Sequence, residues 1–258
     1  MSSSSVSTAL TDVLTALGDR VAPVSMALER TLPTSPECAE LFAEGALVRG
    51  RVLSCAGAAS TTVALRLVAA AVEAGGWMAV IDVPTLGLDA ASELGIALER
   101  VVSVTTGRAG GAGAGDGVGD AEVWADVVAA AADGFEVLVT RVPADVRPAT
   151  ARRVATRLQQ RGVVLVVLGD PGSLVCDGVL DSGGQVWSGV GAGWGHLEHR
   201  SVEVTATGRR LPGQRCRTLG FPVVAELTGP GPAPLVLASS EAAAVSAVPD
   251  VREFQNAG

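Results

Sequence analysis

Residues 51–82 read RVLSCAGAASTTVALRLVAAAVEAGGWMAVID. Two apolar runs, Val52 to Ala56 and Trp77 to Ile81, predict strands. Between them lie a small-residue turn, Gly57-Ala58-Ala59-Ser60, and an amphipathic segment from Thr61 to Ala74 that predicts a helix. Strand, glycine turn, helix and strand make a βαβ unit. In nucleotide-binding proteins the turn of such a unit wraps phosphate with backbone N–H groups at a helix N-terminus. The pattern for it is G-x-x-x-x-G-K-[ST]. Here Gly57 supplies the first glycine and Thr61-Thr62 the closing hydroxyls, but Ala58, Ala59 and Ser60 bring neither a second glycine nor a lysine. The position is that of a phosphate loop, and the chemistry of one is missing.

The absence of lysine extends to the whole chain: all 19 basic residues are arginine. A GC-rich genome would favour Arg over Lys, but whatever the cause, no lysine can serve as phosphate clamp, Schiff base or general base. The 258 residues are enough for one large α/β domain with tails, and 48% hydrophobic content supports a sizeable core. Aromatics are only 3%, with no tyrosine, so Ala, Val, Leu and Gly do the packing. No apolar run reaches a membrane span, because segments such as 61–74 are broken by Arg66 and Glu73. The start, MSSSSVSTAL, lacks a basic region and an apolar core, so no secretion signal is expected and a cytoplasmic location is.

The net charge of −8 is unevenly spread. Residues 1–140 carry 7 Arg and 17 acids; residues 141–217 carry 11 Arg and 6 acids; the remainder carries 1 Arg and 4 acids. The acidic total argues against a protein that coats DNA, while the basic middle leaves room for a local phosphate or acidic contact. No aromatic stacking platform for a nucleic acid is legible. Cys38, Cys55, Cys176 and Cys216 form no C-x-x-C pair, and His196 and His199 have no cysteine nearby, so no zinc site is expected. Cys55 reads as a small core residue.

Along the chain, residues 6–30 predict a helix with Leu10, Val13, Leu14, Leu17 and Val21 on one face, and TLPTSPE (31–37) a linker. Gly45 and Gly50 bracket a turn before the first strand. A helix is predicted over Leu88 to Leu94, stopped by Gly95, then strands at 101–105, 135–140 and 163–168. Residues 107–120, half of them glycine, predict a flexible loop. A helix is predicted from Glu122 to Ala132, and Pro148 takes the favoured first position of another. On the latter, Arg153, Arg157 and Arg161 line one face, read as solvated in preference to a partner or DNA contact. Residues 184–188 and 201–207 alternate like antiparallel strands. From Gly229 onward the Pro-, Gly- and Ala-rich composition predicts disorder. The expected division is an N-terminal helix and linker at 1–37, a core at 38–210 and a C-terminal segment at 211–258, largely disordered beyond 228.

The segment from Leu41 to Thr207 resembles the core of RecA-type recombinases. LFAEGALVRGRVLSCAG is similar to that family's approach to its phosphate loop, L-x-x-G-G-L-x-x-G-R-[IV]; TTVALRLVAAAVEAGGWMAVID is similar to its first helix and second strand; DVPTLGLDAASELGIALERVVSV to the loop, helix and third strand that follow; FEVLVT to its Walker B strand. The resemblance implies an α/β fold: a mostly parallel sheet, helices on both faces and a C-terminal antiparallel hairpin. Residue by residue, the chemistry has gone. The loop at Gly57 to Thr62 is shorter than the family's and lacks its lysine, Pro84 stands at the catalytic glutamate, and Arg141 stands at the magnesium-holding aspartate. Phosphoryl transfer depends on positioned cations and a placed water, so these losses imply a scaffold without ATP hydrolysis, with no catalytic, metal or cofactor residues expected.

Within that superfamily the chain resembles the actinobacterial ImuA' proteins, on the missing lysine, on FEVLVTRVPADVRPATARRVATRLQQRGVVLVV and on WSGVGAGWGHLEHRSVEV. The resemblance implies an adaptor of an SOS-induced translesion mutasome. Its partners would be ImuB, an inactive Y-family-like polymerase that contacts the sliding clamp, an error-prone C-family DNA polymerase and, as a further candidate, RecA. Two other readings compete: a cell-division inhibitor of the SulA type, and a divergent ATPase using arginine for lysine. The second is weak, because arginine's planar fork does not replace a compact ammonium and the nearest in sequence, Arg66, lies a turn into the helix. Passive anion binding by the N–H groups of Ser60, Thr61 and Thr62 is a separate possibility, against the plainer reading of a tight turn.

Overall fold

A computed structural model describes residues 30–106, 120–191, 194–211 and 213–222. Those residues all belong to one compact unit, which ends at Val224; a second unit, Ala225–Gly258, lies outside the described residues. The helix expected over 6–30 (but for Arg30), most of the glycine-rich loop and the tail expected to be disordered also lie outside them.

The unit is an α/β fold. Short strands β1 (Thr31–Leu32) and β2 (Leu47–Val48) pair with each other, flanking helix α1 (Pro36–Ala39). The main elements then run β3 (Val52–Gly57), α2 (Ser60–Glu73), β4 (Met78–Ile81), α3 (Leu88–Glu93), β5 (Val101–Val104), α4 (Asp120–Ala131), β6 (Val137–Thr140), α5 (Pro148–Arg161) and β7 (Val164–Leu168). Three long strands close the described chain: β8 (Gly178–Gly191), β9 (Trp194–Thr207) and β10 (Arg215–Pro222). The eight-stranded sheet has the order β10-β9-β8-β3-β7-β6-β4-β5. Neighbours from β8 to β5 are parallel; β9 runs against both of its neighbours.

The central strands read as near-continuous apolar runs, VLSCAG, MAVI, VLVT and VLVVL, because helices cover both faces. Alternation along each strand sorts the core into two layers. Leu53, Cys55, Met78, Val80, Val137, Val139, Val164 and Val166 pack with Val63, Leu67 and Val68 of α2. Val52, Ala79, Ile81, Leu138, Leu165 and Val167 pack with Trp124 and Val128 of α4 and Val154 and Leu158 of α5. Pro148 opens α5 as expected, and Gly95, with φ +86°, follows α3 in the left-handed conformation expected of a stop.

On α5, Arg153 pairs with Glu122 at 2.9 Å, Arg157 with Asp133 at 2.6 Å and Arg161 with Asp133 at 2.9 Å. In the row expected to be a solvated face, Arg153 and Arg161 are exposed and Arg157 is partly so, and their charge is already matched by Glu122 of α4 and by Asp133 just after it. Each exposed pair is worth about 0–1 kcal/mol, so the row aligns α4 and α5 more than it stabilises them.

The antiparallel region is larger than the alternation predicts. The expected segments, 184–188 and 201–207, are pieces of 14-residue strands, and β10 adds an eight-residue third strand inside the segment expected to begin at 211. Glycines at 183, 184, 189 and 191 interrupt the alternation in β8, and register shifts between Ser182 and Gln185 and between Ser188 and Val190 break its period of two. At the other end, Leu32, Cys38, Leu41 and Phe42 are buried in the α2 layer, and Thr34 donates a 2.6 Å hydrogen bond to the Leu67 carbonyl. Packing therefore runs through both expected boundaries, at 37/38 and at 210/211.

Asp177 pins the start of β8 to the start of β3. Its carboxylate accepts from the Val52 N–H at 3.0 Å, its own N–H donates to the Val52 carbonyl at 2.8 Å, and Arg210 approaches at 3.1 Å. Asp177→Ala leaves the buried Val52 N–H without an acceptor, an expected loss of about 1–3 kcal/mol. Asp177→Asn keeps an acceptor and should lose less. Urea midpoints for the two variants check the order; equal losses would mean that charge, not the hydrogen bond, is what matters.

Candidate functional site

The carboxyl ends of the parallel strands lie at one edge of the sheet, where open α/β folds bind ligands. This edge collects the three positions singled out by the RecA resemblance: the turn after β3, Pro84 beyond β4 and Arg141 directly after β6.

The turn between β3 and α2 is only Ala58-Ala59. Gly57 takes φ +83°, and a Cβ there would stand 2.2 Å from the Ser182 carbonyl oxygen, so only glycine fits without rearrangement. Ser182, buried on β8, explains the closeness. Its hydroxyl donates to the Ala56 carbonyl at 2.7 Å and accepts from the Ala59 N–H at 3.0 Å. A protein hydroxyl thus takes an N–H group that a phosphate-wrapping loop would leave for its ligand. The first helical bond runs from the Val63 N–H to the Ala59 carbonyl at 2.9 Å, so the N–H groups of Ser60, Thr61 and Thr62 precede the ladder. Ala59 offers no side-chain cap.

One side chain from far along the chain reaches this helix start. Arg200, on β9, donates to Thr62 Oγ1 at 3.3 Å and to Gln185 Oε1 at 2.8 Å. Its guanidinium carbon lies 5.0 Å from the ring centre of Trp187, its register partner on β8. Partial burial lowers the pKa of Arg200 from its ordinary value. Arg66, the nearest arginine in sequence, instead pairs with Glu37 at 3.3 Å. Arg200 was legible in one respect: on β9 it shares a face with buried Val202, Val204 and Ala206, and a charge in such a row is the signal. Ser182 gave none.

At β4, Asp82 sits in a left-handed conformation at φ +52°, with both carboxylate oxygens committed to Thr106: Oδ1 accepts from its N–H at 2.8 Å and Oδ2 from its hydroxyl at 2.6 Å. Pro84, exposed, offers no proton acceptor in its side chain. At β6, buried Thr140 accepts from Trp124 Nε1 at 3.0 Å and donates to the Arg141 carbonyl at 3.1 Å. Arg141 itself is exposed, and its guanidinium supplies positive charge where a metal-binding carboxylate would supply negative.

Three of the four thiols serve packing. Burial pushes the Cys176 thiol up to about 11, helped by Asp177 and Asp170; burial pushes Cys55 well above its ordinary range, helped by Cys38 and Cys176. A nucleophilic cysteine needs the opposite shift. Cys38 is also raised by burial, and Cys216 by its hydrogen bond to Glu203. Cys216 alone of the four is exposed. A thiol reagent at neutral pH should therefore label Cys216 first, half-buried Cys176 more slowly, and Cys38 and Cys55 only on unfolding. Rapid native labelling of Cys55 would contradict this packing.

A family model described as the MT3502 N-terminal domain matches residues 40–172, more than half of the chain. The chain belongs to the MT3502 N-terminal domain family. A search of curated proteins finds no match. The MT3502 region holds the β3–α2 turn, Pro84 and Arg141, and ends before Ser182 and Arg200. Its turn is thus completed by strands that follow the matched residues. No helix among the described residues is long and apolar enough to cross a membrane.

Proposed function

We propose that the chain is a non-catalytic, RecA-like accessory protein of a damage-induced translesion mutasome. It acts in the cytoplasm, at the nucleoid when in complex, by binding an ImuB-like polymerase homologue and an error-prone C-family DNA polymerase. The observation that carries the reading is the Ser182 hydroxyl lodged against the β3–α2 turn, where a phosphate loop would wrap its ligand. The guanidinium of Arg141 and the ring of Pro84 at the other two positions support it. So does the sheet: the strand that carries the turn is central, with the chain crossing to β4 on one side and returning to β8 on the other, the switch point of a doubly wound fold.

Two measurements test the proposal. The purified chain should turn over no ATP beyond the buffer rate, whereas sustained hydrolysis lost in Thr61→Ala would restore the ATPase reading. The chain should also co-purify with the ImuB-like protein from DNA-damaged cells. Failure to associate at micromolar concentration, together with filamentation on overexpression, would favour the cell-division inhibitor instead.

A further inference from the structure

We propose that Arg200, Trp187 and Gln185, on the β8–β9 ribbon, form the docking surface for a partner-protein segment that presents a carboxylate beside an apolar side chain. The inference deepens the adaptor reading and rests on it.

Arg200 differs from Arg51 and Arg66, the other described arginines with a buried, unpartnered Nε. Arg51, Arg66, Arg157 and Arg217 each pair with a carboxylate: Glu44, Glu37, Asp133 and Glu40. Arg200 pairs with none among the described residues; its contacts are the neutral oxygens of Thr62 and Gln185 and the face of Trp187. Its Nε is buried without an acceptor. Arg51 and Arg66 share that orphan atom but have their acids. A guanidinium carries five N–H donors, and two are used here. The group is held in place and its charge is left over, so an incoming anion would meet a preorganised fork and little rotamer entropy would be lost.

The indole beside it is 47% exposed, a large apolar surface next to the cation. Tryptophan and arginine together are the composition of interface hot spots. On β10, Phe221 stands opposite Arg200 and is buried, so the contact surface lies on the Trp187 side.

A protein partner fits better than a nucleic acid. Nucleic-acid affinity grows with the number of phosphates neutralised. The other arginines of these strands and their connection are spent: Arg209 and Arg210 lie against Asp177, Arg217 pairs with Glu40, and Arg215 donates to the carbonyls of Glu40 and Phe42. The chain as a whole carries −8, which repels a polyphosphate. One free cation beside one exposed indole suits a single carboxylate with an apolar neighbour.

The test titrates the full-length chain with the full-length ImuB-like polymerase homologue at physiological ionic strength. Arg200→Gln and Trp187→Ala are each expected to weaken binding by about tenfold or more, the scale of a hot-spot side chain. Arg153→Gln, on the opposite layer, should bind like the wild type. If Arg200→Gln unfolds, Trp187→Ala carries the same comparison. Wild-type binding that ignores both substitutions overturns the docking surface and leaves the adaptor reading standing. No wild-type binding overturns both. A single-stranded oligonucleotide of about 20 nucleotides, bound by the wild type and lost in Arg200→Gln while the protein partner is unaffected, overturns it in favour of nucleic acid.

Discussion

Gly57→Ala is expected to cost about 2–5 kcal/mol of stability, a left-handed backbone penalty of roughly 1–2 plus an overpacking term of roughly 1–3. The new methyl would have to occupy space 2.2 Å from the Ser182 carbonyl oxygen and 2.6 Å from its hydroxyl. Backbone is the nearer obstacle, so trimming the serine does not relieve the clash. Ser182→Ala by itself should cost less, about 1–3 kcal/mol, by leaving the Ala59 N–H unmet. The double variant should remain close to Gly57→Ala. Urea unfolding of the three proteins provides the comparison. A Gly57→Ala protein as stable as the wild type would mean that β8 does not close the turn.

Trp124→Ala should remove about 3–5 kcal/mol, the cost of emptying a fully buried aromatic site. Trp124 is the largest fully buried side chain among the described residues, and it fills the layer between α4 and the sheet. Its indole N–H also reaches Thr140, whose hydroxyl in turn holds the Arg141 carbonyl. Trp124→Phe keeps most of the packing and loses the hydrogen bond, so about 1 kcal/mol is expected from that bond, with a further cavity contribution. The difference between the variants separates packing from the polar link to the end of β6. Were the phenylalanine variant as damaged as the alanine one, the hydrogen bond would outweigh the ring.

The two predictions bracket the edge where the β3–α2 turn and the Arg141 position lie. The structure spends its polar groups there on itself: Ser182 on the turn, both oxygens of Asp82 on Thr106, Thr140 between Trp124 and the Arg141 carbonyl. A phosphoryl-transfer site keeps such groups for nucleotide, metal and water. That contrast supports the proposed reading of a scaffold that works by contact. Arg200 is held by neutral groups, and no carboxylate among the described residues meets its charge.

Much of this could be read locally. The apolar runs at β3, β4, β6 and β7, the 3.6-residue period of α2 and α5, Pro148 at a helix start and Gly95 after a helix all express preferences of neighbouring residues, and each lies where those preferences put it. So does the absence of lysine, which is a matter of composition. The strand lengths of β8 and β9 were not legible, because their glycines and register shifts erase the alternation that marks a strand.

The sequence alone determined an α/β chain built on a βαβ unit, and which groups of the phosphate-loop pattern its glycine turn lacks, since covalent identity and short-range periodicity carry that information. Only the tertiary structure decided what stands there instead. Ser182 reaches Ala59 across 123 residues, Asp177 reaches Val52 across 125, and Arg200 reaches Thr62 across 138. Contacts at such separations depend on the order of strands in the sheet, and no local preference of these residues encodes that order.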